Sequence, residues 1–247
     1  MVGIAVGTAI LPSLSRQVRM GDDEGAKTTQ NRGLELALFL TLPSAVGLGV
    51  AAWPIMSVLF ERGAFGPVEA NATAAALAAY AGGLPAFVLI KVMTPGFFAR
   101  HDTATPVKVA VAAMATNLVL TVVLGLVLPF RHVGIASATS IAGWVNALSL
   151  MVLLHRRGHF TLDVRSRRVV PRIIAASAGM GVLLWLMDEL AAPLYAGAFI
   201  ARSTALLIVI TIAVAAFFAL ALVFGAVGWR EIKRRAAMFT RRRSTQT

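Results

Sequence analysis

The sequence predicts an all-α polytopic membrane protein, a bundle of spanning helices, and three observations carry that prediction. Hydrophobic residues make up 58% of the 247-residue chain against 14% charged, with a mean hydropathy of +0.79, beyond what a charged soluble surface allows. Six uncharged runs, 36–60, 70–90, 109–130, 133–154, 173–187 and 203–229, come close to or exceed the roughly 20 residues a helix needs to cross a bilayer; the fifth reaches it with its flanks. The basic residues alternate: twenty of the twenty-three Lys and Arg fall in every second connecting segment. This is the positive-inside pattern, with the C-terminus in the cytoplasm. No alternating barrel-strand pattern is present, so the backbone has to satisfy itself in helices.

Residues 1–15 read as the truncated end of a transmembrane helix, too short to span and without the charged start or cleavage site of a signal peptide. The mixed-charge stretch 16–32 reads as a surface helix or loop. The first full span follows with Pro43 inside it, a residue that frees one carbonyl and bends a helix that neighbours can repair. Trp53 marks an interface, and Pro54 opens a short surface-lying amphipathic piece. The next span is rich in Ala and Gly, and Gly82, Gly83 and Pro85 predict a kink partway along it. Thr105 and Pro106 have the form of an N-cap and first helical residue, so the following helix is expected to start there. In its antiparallel partner Ala136 with Ser140 and Thr139 with Gly143 set small residues at four-residue spacing, the mark of close packing. Two more helices follow an arginine-rich connection. Their large aliphatic and aromatic residues suit lipid, and the basic tail 230–247 suits anionic phospholipid headgroups.

The net charge of +12 does not point to nucleic acid, because no aromatic stacking platform accompanies the arginines. No catalytic motif, cofactor-binding loop or metal-ligand set emerges. The four histidines, His101, His132, His155 and His159, lie in loops or at helix ends, and His155 and His159 lack a third ligand for a metal. Asp188 and Glu189 read as a solvated acidic pair, Glu35 as a complement to a helix dipole, and Asn117 and Asn146 as interhelical glue. The chain does not read as an enzyme.

Lys91 stands apart. It follows twenty-one uncharged residues, yet apolar sequence resumes through VMTPGFF before charge returns at Arg100. A helix that continues to Phe98 places this cation about two turns from its end. A cation costs roughly 2.5–3.5 kcal/mol at a span's centre and less near the interface. Two placements meet that cost: a side chain that snorkels to the interface, or one that faces an aqueous, anion-binding cavity.

The stretches GTAILPSLSR, LALFLTLPSAVGL, LFERGAF and KVMTPGFFARHDTATPVK together resemble the MurJ/MviN family of lipid II flippases, within the MOP superfamily. The resemblance runs over essentially the whole chain but covers about the C-terminal half of a family member. It implies two helical lobes around a central cationic cavity, followed by two extra C-terminal helices whose groove receives an undecaprenyl tail. Here it implies a partial flippase lobe: residues 16–168 as its four-helix remainder, 169–229 as the extra pair, and 230–247 as a cytoplasmic tail. Lys91 matches the family lysine of this motif and is the expected source of cavity electrostatics or pyrophosphate attraction. Pro12, Ser13, Asp102 and Pro106 match positions of helix termination and loop geometry, and Pro43, Pro95 and Thr105 join them as structural motif positions. The implied partners are lipid II or another undecaprenyl-diphosphate-linked precursor, anionic phospholipids, and an N-terminal lobe or the cell-wall synthesis machinery, with no nucleic acid. The implied place is the bacterial inner membrane. The arginines that hold the diphosphate in the family have no counterpart here, so the segment alone is expected not to transport. Two rivals remain: another MOP-type exporter of lipid-linked oligosaccharides or drugs, and a non-transporting membrane scaffold.

Overall fold

The computed structural model of the protein describes residues 2–128, 130–195 and 199–226; the basic tail lies outside them. Among the described residues the architecture is helical, in the order α1 (Val2–Arg19), α2 (Asp23–Val50), α3 (Ala52–Phe60), α4 (Pro67–Ala81), α5 (Leu84–Phe98), α6 (Ala104–Thr121, with a π-helical extension Val122–Val127), α7 (Arg131–Arg156), α8 (Val164–Tyr195) and α9 (Phe199–Val223). Six segments are long and apolar enough to cross a membrane, α4 and α5 together forming one of them. The all-α polytopic bundle expected from hydropathy is therefore present.

Two apolar clusters organise the bundle around α2. One joins α1, α2, α5 and α7 through Leu34, Leu89, Val92, Met93, Phe97 and Leu150. The other joins α8 and α9 to α2 and α3 through Ile173, Met180, Leu184, Val209 and Phe217, with Phe39 of α2 against the Phe217 ring at 5.1 Å. Hydrophobic burial cannot favour helix association inside lipid, so the close approaches rest on small residues. A β-carbon on Gly134 of α7 would stand 2.2 Å from the Leu124 carbonyl oxygen, and one on Gly181 of α8 would stand 2.5 Å from Val46. Ala136, Ser140 and Gly143 are buried on α7 as their spacing predicts.

The structure departs from the sequence expectations at several helix boundaries. Pro12 and Ser13 do not end a helix: α1 continues to Arg19. Proline removes one backbone bond, and the turns beyond it are held by Leu14 and Val18 packed with Ala26 and Ala99. The Thr29 hydroxyl also donates to Gln17 at 2.8 Å. The polar stretch before the first span is not a separate surface helix, since α2 starts at Asp23, where Asp22 accepts from the Gly25 N–H at 2.9 Å, and runs unbroken through Pro43. The helix α6 begins at Ala104, so Thr105 sits in its first turn and is not the cap. The capping acceptor is the Asp102 carboxylate, 2.9 Å from the Thr105 N–H. Pro106 is buried in that first turn, where its missing N–H deprives the helix of no bond.

The expected kink is present as an interruption of the hydrogen-bond ladder, with Gly82 and Gly83 both in right-handed helical conformation. Helix α4 stops at Ala81, Gly82 and Gly83 carry the turn, and Pro85 opens α5.

Candidate functional site

Lys91 lies in the middle of α5, with seven further helical residues, 92–98, after it. The helix thus passes the lysine by about 10 Å at 1.5 Å per residue. Pro95 is buried within that extension and does not stop it, because its ring costs a single backbone bond. Lys91 is exposed while Val92 and Met93 beside it are fully buried. Among the described residues its ammonium has neither a hydrogen bond nor an ion-pair partner.

Two glycines of α1 bring it close to α5 around the lysine. On α1, Gly3 and Gly7 face α5: a β-carbon at Gly3 would meet Val88 at 3.2 Å, and one at Gly7 would stand 2.5 Å from the Lys91 carbonyl oxygen. On the next turn of α1, Ile10 fills the space above Gly33 of α2. The outward stripe of α1 beside Lys91, namely Thr8, Ala9, Pro12 and Ser13, is exposed and built of small side chains. The sequence carried a signal for this crossing, a Gly-x-x-x-Gly pair at 3 and 7, which the reading of residues 1–15 as a helix fragment passed over.

A second feature lies on the other side of α2. An open apolar groove of about 450 Å³ runs between α2, α8 and α9, with Phe39, Pro43 and Gly47 on one wall, Met180 and Leu184 on the second, and Phe217 on the third. Its floor is wide because Gly47 leaves its nearest neighbour, the Met180 methyl, 3.9 Å from where a β-carbon would be.

Ion pairs brace the two ends of the bundle. At the end bearing most of the basic residues, Arg157 at the close of α7 pairs with Asp102, donates to the Thr105 hydroxyl at 3.0 Å, and stands 5.6 Å from the Phe97 ring centroid. The Thr105 hydrogen bond, then Arg157, hold the Asp102 carboxyl well below the usual carboxylate range. Arg100 pairs with Asp23 at 3.1 Å. Glu35 does not complement a helix start: it lies three turns into α2, buried, between Arg32 and Arg165, and accepts from the Ser166 hydroxyl at 2.7 Å. Arg32 also pairs with Asp163. Burial pushes the Asp163 carboxyl up, but the Ser166 bonds and Arg32 outweigh that and leave it lowered. At the opposite end Arg202 pairs with Glu61 at 3.2 Å and fixes α9 to the end of α3. Asp188 is not simply solvated, because its Oδ1 is buried and the Tyr195 hydroxyl lies near its carboxylate. Asn117 donates to Thr139 across α6 and α7 at 3.2 Å, as its placement suggested, whereas the Asn146 Oδ1 is buried without a hydrogen-bond partner. His155 Nδ1 lies 3.0 Å from the Phe160 carbonyl oxygen.

Spanning helices, one carrying an exposed cation two turns from its end and others enclosing an open apolar groove, form the frame of a polytopic membrane protein. Residues 1–206 match the family model described as lipid II flippase MurJ, and the chain belongs to that family. The resemblance read from the motifs is therefore borne out. A probable lipid II flippase MurJ of Rhizobium meliloti (strain 1021) is 44% identical over 236 residues, covering 95% of this chain and 44% of the relative. The counterpart from Rhizobium tropici is 41% identical with the same coverage. The solved structure of a lipid II flippase MurJ in an inward closed conformation superimposes with a TM-score of 0.71 at 26% identity, over 94% of this chain and 44% of that one. The chain thus spans less than half the length of the relatives it matches.

Proposed function

We propose that this segment is the second-lobe portion of a lipid II flippase in the bacterial inner membrane, with its C-terminus in the cytoplasm. It helps to move an undecaprenyl-diphosphate-linked peptidoglycan precursor between leaflets. The observation that carries this reading is Lys91: an unpaired, exposed cation two turns inside the end of a span carries a cost, smaller than at the centre, that is repaid by an anion that comes and goes. Lys91 attracts the diphosphate headgroup, while the groove between α2, α8 and α9, continuous with lipid, takes the polyprenyl tail. No bond is made or broken, so the segment is a transporter part and not an enzyme. Alternating access rocks one lobe against another, and the segment acts with a first lobe. The basic tail binds anionic phospholipids at the cytoplasmic face.

The test is complementation. A bacterium depleted of its own lipid II flippase receives this chain alone, or joined to the first half of a relative. Growth restored by the joined form and lost again with Lys91→Ala supports the reading. Growth restored by neither, with both proteins inserted in the membrane, favours the exporter or scaffold rivals. Growth restored by the chain alone sinks the need for a first lobe.

A further inference from the structure

We propose that Ser140 and Trp144 of α7 are positioning residues for Lys91, holding the α4–α5 break at one angle and thereby setting where α5 carries its ammonium. The proposal rests on the reading of Lys91 given above, and it starts from what a broken helix needs. At the break the Gly83 N–H bonds to the Tyr80 carbonyl at 2.9 Å, one residue short of its helical partner Ala79, and Pro85 brings no N–H at all. Carbonyls so released inside a bilayer have no water to turn to. The α7 helix meets two carbonyls at the break: the Ser140 hydroxyl donates to Ala79 O, freed by the Gly83 shift, at 2.6 Å, and the Trp144 indole N–H donates to Gly82 O at 2.9 Å. Ser140 and Trp144 are four residues apart and share one face of α7.

The same face grips both sides of the break. A β-carbon on Gly83 would lie 2.6 Å from Ser140 Oγ and 2.9 Å from its Cα, so α7 sits in the notch the glycine leaves. One turn on, a β-carbon on Gly143 would lie 2.8 Å from the ring of Phe87, a first-turn residue of α5. The α7 helix thus touches the last turn of α4, the break itself and the first turn of α5. Lys91 stands two turns beyond, about 12 Å along the axis from Gly83, so a change of ~10° at the break displaces it by ~2 Å.

The chain contains no cysteine, which makes position directly readable. Lys91→Cys is introduced into the full chain in lipid nanodiscs, and its reaction rate with a membrane-impermeant thiol reagent is measured in the parent, S140A, W144F and S140A/W144F backgrounds. Ala9→Cys on the exposed stripe of α1 is the reference. The expected result is a several-fold change at position 91 in the double variant, a smaller one in each single variant, and no change at position 9. An unchanged rate at position 91 overturns the proposal, and so does an equal change at both positions, which would report general loosening. Should the double variant fail to stay monodisperse, W144F alone decides, because it keeps an aromatic side chain and removes the donor. The labelling does not depend on transport, so an inert Lys91→Ala in the complementation assay removes the headgroup role and leaves the positioning result standing.

Discussion

Gly7 of α1 and Lys91 of α5 meet backbone to backbone, with no room for a β-carbon between them: one would lie 2.5 Å from the Lys91 carbonyl oxygen. Backbone carbonyls do not swing aside as a side chain does. Gly7→Ala is therefore expected to part α1 from α5 and to destabilise the fold by about 1–3 kcal/mol, the range for overpacking. Gly47→Ala, where the nearest atom is 3.9 Å away, is expected to be neutral or to stabilise by up to ~1 kcal/mol through helix propensity. Thermal melting of both variants in one detergent checks the contrast, and equal midpoints would refute it.

Glu35 joins α2 to the start of α8 through Arg32, Arg165 and Ser166. Removing the carboxylate takes one anion from Arg32 and Arg165 and an acceptor from Ser166, but Arg32 keeps Asp163 and is partly solvated, so Glu35→Ala is expected to cost about 2 kcal/mol, below the figure for a fully buried pair. Glu35→Gln keeps an acceptor for Ser166 and is expected to cost less. Limited proteolysis between α7 and α8 reads the effect: faster cleavage in the alanine variant is expected, and parental rates in both would show that the network does not hold the helices together.

His159 is held below its ordinary pKa, first by burial and then by Arg100, with Arg157 and Lys27 adding to the effect and Asp23 opposing it. A lowered folded pKa means the unfolded chain takes up the proton first as pH falls. Stability is then complete above the ordinary histidine value of about 6.5 and declines below it. Melting midpoints are expected to fall between pH 7.5 and 5.5, and His159→Gln to flatten that part of the profile. A slope identical in the variant assigns the pH dependence to other groups.

Asp102 caps α6 and pairs with Arg157, and its carboxyl stays ionised below the usual range. The depressed folded pKa makes its contribution full above the unfolded value and lost as acid drives through the folded one, a window that opens below about pH 4. Asp102→Asn retains an acceptor for the Thr105 N–H but loses the ion pair. It is expected to lower the melting midpoint at pH 7 and to remove that acid limb. Arg157→Lys is expected to lower the pH 7 midpoint as well, since a lysine cannot hold Asp102 and Thr105 with a planar fork. A parental midpoint at pH 7 in both variants would show that the staple is idle.

The groove gives a prediction about lipid. Ser44 faces it from α2, exposed at its mouth, and Ser44→Trp would fill much of its 450 Å³. A photoreactive polyprenyl phosphate in nanodiscs is expected to crosslink to α9 in the parent and to lose that product in the variant. Crosslinking that survives the tryptophan would place the tail elsewhere.

The spans, the short helix α3 and the break at Gly82–Gly83 were legible because each depends on local composition: apolar run length, a Trp-Pro pair, and two glycines before a proline. Lys91 was legible as an anomaly for the same reason, a charge where hydropathy forbids one. The end of α1 and the start of α6 were not, because Pro12 was overruled by Leu14 packing against Ala26 of α2 and Ala99 and Thr105 was displaced as cap by a carboxylate three residues earlier. Partners such as Arg157 for Asp102, or Ser166 for Glu35, stand 55 and 131 residues away along the chain, and nothing in either segment names the other. Ser140 and Trp144 were read as packing residues or not at all, since their acceptors are backbone atoms freed by a break that only the fold displays.

The position of α2 between the two apolar clusters bears on how the chain assembles. Leu42 of α2 touches both clusters. The buried members of the first fall between Val6 and Phe160, whereas the second draws most of its members from Val169 onward. Every buried member of the first cluster is therefore synthesised before α8, and of the partly buried residues around it only Val170 comes later, so α8 and α9 are the last helices made and most of the wall they lean on precedes them.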